Sequence, residues 1–60
     1  MAHYIISTEL RMLDIVERLL VERGVVVVSR DEMFDPLVIE TNDPLAVSRI
    51  EGVLEVRAAP

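Results

Sequence analysis

Val25-Val26-Val27-Val28 is an unbroken apolar run between Gly24 and the polar stretch Ser29-Arg30-Asp31-Glu32. Four β-branched residues in a row favour an extended backbone over a helix. A strand sends successive side chains to opposite faces, so this one has no polar side. Strands apolar on both faces are normally covered on both. Any fold for this chain must therefore bury two of these valines on each side, or leave one pair to another molecule.

The surrounding sequence supplies the other elements. His3 to Ser7 is rich in β-formers (Tyr4, Ile5, Ile6) and reads as a first strand. Ser7 or Thr8 is placed to cap a helix, with Glu9 in its first turn. From Glu9 to Arg23 the period is helical: Met12, Leu13, Ile15, Val16, Leu19 and Leu20 share one face, and Arg11, Asp14, Arg18 and Glu22 the other. Asp14–Arg18 and Arg18–Glu22 are i,i+4 charge pairs. Gly24 is the helix stop. Val25 to Ser29 is the second strand, the polar segment from Arg30 to Pro36 a turn, and Leu37 to Thr41 the third strand. Asp43 caps a short helix with Pro44 at its first position; the helix runs from Leu45 to Glu51 and stops at Gly52. Val53 to Ala58 alternates, with Leu54, Val56 and Ala58 on one side and Glu55 and Arg57 on the other, as a half-buried last strand does.

The order is β-α-β-β-α-β within one domain spanning residues 1–60. Two right-handed β-α-β crossovers joined by a hairpin give an α+β sandwich of the ferredoxin-like kind, a four-stranded antiparallel sheet with both helices on one face. Its expected strand order is 4-1-3-2, which puts the second strand at an edge. Two of the four valines then face the open side of the sheet, where nothing in the chain covers them, and Ile5 and Val38 extend the patch. Apolar edges are normally blunted by lysine, proline or a bulge, and Val25–Val28 reads as carrying none of these.

A chain of 60 residues buries only about 60% of the surface its unfolded form exposes. Domains this small usually carry a disulfide, a metal or a partner. There is no cysteine and one histidine, His3, so association with another chain is the expected support. A hydrophobic content of 52% and a mean hydropathy of +0.40 agree with that. Partners with phosphate backbones are disfavoured: six scattered arginines and no lysine stand against eleven carboxylates, the net charge is −5, and the only aromatics are Tyr4 and Phe34. No apolar stretch has transmembrane length and no secretory signal opens the chain, so the expectation is a cytoplasmic protein, or one assembled into a larger particle there. The start at Met1 reads as that of a whole small gene product, of the size common among phage and mobile-element proteins such as virion parts and inhibitors.

Catalysis is not expected. His3 has no nucleophile near it in sequence and reads as a sheet-surface side chain. Asp31, Glu32 and Asp35 share one turn but lack the spacing and glycine of a calcium loop, and they read as a solvated acidic turn. Gly24 and Gly52 are helix stops rather than a phosphate cradle. No cofactor, metal or small-molecule ligand is expected. The candidate residues are instead partner-binding: Val25, Val26, Val27, Val28, Ile5 and Val38, with Met33 and Phe34, an adaptable and an anchoring side chain set between acids in the turn.

Known families of this architecture can be checked at their own motifs. Metal-carrying domains need a Cys-x-x-Cys, RNA-recognition domains need basic and aromatic strands, and both are absent. Amino-acid-sensing ACT domains resemble the chain in fold order, but its first loop reads Ser7-Thr8-Glu9-Leu10 rather than Asp-x-Pro-Gly. Tyr4-Ile5-Ile6 and the segment Ile50-Glu51-Gly52-Val53-Leu54-Glu55-Val56 resemble the subtilisin-propeptide family of protease inhibitors, over about ten residues of the chain. That resemblance implies a sheet packed on a protease and a C-terminal tail, Arg57-Ala58-Ala59-Pro60, reaching into its cleft; the tail is short and ends in proline. The leading expectation is a non-catalytic interaction or assembly module, the alternatives a propeptide-like inhibitor and an ACT-like sensing domain.

Overall fold

The computed structural model describes residues 2–31 and 36–60. Strand β1 spans Ala2–Thr8, β2 Val26–Arg30, β3 Leu37–Thr41 and β4 Val53–Ala58; helix α1 spans Leu13–Glu22 and α2 Pro44–Ser48. The four strands form one sheet in the order β2-β3-β1-β4, with every neighbouring pair antiparallel. The molecule is an α+β fold.

The core explains the arrangement. Ile6 of β1, Leu37 and Ile39 of β3, Leu13, Val16 and Leu20 of α1, Val47 of α2 and Ile50 just beyond it form one buried cluster. In register, Ile6 lies opposite Leu37 and Tyr4 opposite Ile39, so these residues share one sheet face, and both helices pack there. Val25, Val27, Val53 and Val56 pack against the cluster from the two edges.

The ends of the helices follow local chemistry. At the end of α1 the N–H of Val25 donates to the carbonyl of Leu20 and that of Gly24 to Val21, both at 3.0 Å. This is a Schellman ending, with Gly24 at φ +77° in the left-handed position. Asp43 caps α2 through Oδ1, which accepts from the Ala46 N–H at 3.2 Å, and Pro44 takes the first turn. The Asp43 N–H donates to Oγ1 of the buried Thr41 at 3.1 Å, so one short relay ties the end of β3 to α2. Gly52 has φ +98°, and a Cβ there would stand 2.9 Å from Val16 Cγ2 and 3.0 Å from Met12 Cε. The turn into β4 thus rests directly on α1.

Several sequence expectations need correcting. Ser7 and Thr8 continue β1 and cap nothing; a 3-10 turn, Leu10–Met12, intervenes before α1, and neither has a side-chain cap. Within α1 the buried stripe is Leu13, Val16 and Leu20, and Ile15 lies at its margin, 41% exposed. Asp14 pairs not with Arg18 but with Arg30, at 2.7 Å. Arg30 also meets Glu17 at 2.6 Å and ends β2 rather than opening the turn. Val25 precedes β2 instead of starting it, and α2 is shorter than expected, with Leu45 68% exposed.

Candidate interaction surface

The open face is fixed by strand register. Across one row lie Ser29, Val38, Ile5 and Arg57; across the next lie Val26, Glu40 and His3. Ser7 lies opposite Glu55 beyond them. The apolar part of this face therefore runs from β2 to the middle of the sheet, through Val26, Val38 and Ile5. Ile5 and Val38 are half-buried by their neighbours, while Val26 is 51% exposed.

Val28 reaches the surface for a less regular reason. Val27 pairs with Ile39 but Ser29 pairs with Val38, so Val28 is an extra residue in β2. Such a bulge sets two residues against one on the partner strand, bends the edge and increases its twist. Val28 is 47% exposed as a result. Of the four valines, Val25 and Val27 pack on the core, and Val26 and Val28 do not. The edge is blunted after all, by a bulge that alternation alone does not reveal. Met33 and Phe34 lie outside the described residues.

Charge rims the patch. His3 Nε2 stands 3.6 Å from Glu40 Oε2 on the face itself, and Arg57 Nε is 2.9 Å from Glu55 Oε1 on β4. His3 is a half-exposed sheet-surface side chain. The Asp31 N–H donates to the Pro36 carbonyl at 3.1 Å. Among the described residues no group of three His, Cys, Asp or Glu side chains converges as metal ligands would, and no helix is long and apolar enough to cross a membrane. Arg57 and Ala58 are part of β4, and the Ala59 N–H donates to the His3 carbonyl at 3.0 Å; most of the tail expected from the propeptide resemblance is thus held in the sheet.

A second apolar surface escaped the sequence reading. Between α2 and β4 lies a groove of about 330 Å³, floored by Tyr4 and Val56 and flanked by Leu45 and Leu54. Thr8 pairs with Val53 but Ser7 with Glu55, so Leu54 is an extra residue in β4. It is 67% exposed instead of packed beside Val56. The one available signal was the shortness of α2, too short to cover a six-residue strand. In comparisons with known proteins, no family model, no curated protein and no solved structure matches this chain.

Proposed function

We propose that the chain is a non-catalytic protein–protein interaction or assembly module of ferredoxin-like architecture. Its open sheet face takes a copy of itself or a larger protein. The observation that carries the reading is the half-exposed Val26 set with Val38 and Ile5 on a face that no described element covers, with the exposed Val28 at the same edge. Contiguous apolar patches rimmed by polar groups mark contact sites more often than scattered single residues do. The ferredoxin-like assignment is supported by the β-α-β-β-α-β order and by a core shared between both helices and one sheet face.

The test is Val38→Asp, which places a charge at the middle of the patch without touching the core. Sedimentation of the wild-type chain, with identification of proteins that co-purify from its native source, gives the reference. The expected result is an association, with itself or a larger protein, that Val38→Asp abolishes while the circular dichroism spectrum stays the same. A folded wild-type monomer with no partner affected by Val38→Asp ends the reading.

A further inference from the structure

We infer that a second copy of this chain adds to the sheet at β4, forming a symmetric antiparallel pair centred on Val56 and a continuous eight-stranded sheet. The inference rests on the reading above, since such a dimer sets two copies of the Val26–Val38–Ile5 patch on one face.

Three observations carry it. The first is the phase of the backbone. The Ala59 N–H bonds to His3 of β1, and in an antiparallel pair the hydrogen-bonded positions alternate. Glu55 and Arg57 therefore turn their backbone groups toward β1, and Val56 and Ala58 turn theirs outward. No described strand lies beyond β4. A dyad at Val56 matches its N–H and C=O with those of the second Val56, and sets Ala58 beside the bulge at Leu54 of the copy.

The second is charge. In that register Glu55 lies opposite Arg57 of the copy and Arg57 opposite Glu55 of the copy, both on the open face. These are non-hydrogen-bonded positions, where side chains come closest. Each strand also holds its own Glu55–Arg57 pair at 2.9 Å, so the dimer joins two ion pairs into one alternating group. Copies with a net charge of −5 repel one another in general, and β4, with one charge of each sign, is neutral and self-complementary.

The third is the contrast with the other edge. Both edges carry an extra residue, Val28 in β2 and Leu54 in β4, but in β2 Arg30 is also drawn back to Asp14 and Glu17 on α1. A symmetric pairing there would set Val26 against Arg30 of the copy, with no complement. At β4, by contrast, the exposed Leu54 and Leu45 beside the groove gain an apolar neighbour in Ala58 of the copy.

The experiment is sedimentation equilibrium of the full chain with charge-reversal variants. Glu55 and Arg57 side chains are both more than half exposed, so the fold should tolerate the changes. The wild type is expected to dimerise in the micromolar range. R57E or E55R alone sets like charges opposite each other and should weaken the dimer by about tenfold or more. An equimolar mixture of R57E and E55R should recover a heterodimer, which neither variant could form if it were unfolded. The E55R/R57E double variant should recover the homodimer. A wild-type monomer throughout that range overturns the inference, as does a dimer indifferent to both single reversals. If that indifferent dimer is lost in V38D, the copies meet through the open face: the β4 pairing falls and the interaction reading stands.

Discussion

Arg30 Nη1 lies 2.6 Å from Glu17 Oε1, so the last residue of β2 is tied to the middle of α1. The same guanidinium reaches Asp14 at 2.7 Å, one turn earlier on the helix. Two acids on one helix face thus share one cation from the sheet edge. Arg30→Ala should cost about 1 kcal/mol of stability in urea denaturation, because the pairs are only partly screened by solvent. Raising the salt concentration should shrink the difference between variant and wild type; a salt-independent loss would point to packing of the arginine stem instead.

The two glycines separate conformational strain from crowding. At Gly24 a Cβ meets nothing within 4 Å, so Gly24→Ala should cost about 1 kcal/mol for its positive φ alone. At Gly52 the Cβ also collides with Val16 and Met12. Gly52→Ala should cost about 3 kcal/mol, combining strain with overpacking. Equal losses at the two positions, measured by denaturant midpoints, would contradict this account.

Asp43→Ala removes the acceptor for the Ala46 N–H and should lower stability by about 1 kcal/mol. Asp43→Asn or Asp43→Ser should restore most of it, because a neutral oxygen also caps. Hydrogen exchange should report faster opening of α2 in the alanine variant.

Ile6 is fully buried at the centre of the core. Truncation to alanine costs about 2–5 kcal/mol in well-packed interiors. A core of this size supplies about 3–5 kcal/mol in all, so Ile6→Ala should leave the isolated chain largely unfolded at ordinary temperature, read by loss of its cooperative thermal transition. Val26→Thr and Val28→Thr, both at the exposed β2 edge, should stay within about 0.5 kcal/mol of wild type in the same measurement.

What could be read from sequence, and what could not, follows from how local each signal is. Leu37–Thr41 and Val53–Ala58 were legible residue for residue, because turn residues bracket them. The Asp43–Pro44 start of α2 and the Gly24 stop of α1 were legible because a single residue's chemistry decides each, whereas α2 ends at Ser48 and Gly52, expected as its stop, makes the turn into β4 instead. Ile15 and the start of α1 were not: Ile15 sits at the margin of a face whose width only the packing of α1 decides, and Ser7-Thr8 suits a cap and a strand end equally. The extra residues Val28 and Leu54 were invisible for a similar reason. A bulge is chosen by the fit of two strands, and neither strand encodes it alone. The apolar patch was legible as composition, but the division of the four valines into packed and exposed pairs, and the groove beside Leu54, emerged only from register.

The position of β1 between β3 and β4 has a consequence for how the molecule comes into being. Strand β1 has both of its ladder partners in the second half of the sequence, one beginning at Leu37 and the other at Val53. Such long-range pairing raises contact order and slows closure of the sheet. Before β3 and β4 dock, Tyr4-Ile5-Ile6 is an unshielded apolar segment, open to capture by a chaperone or by another unfolded copy.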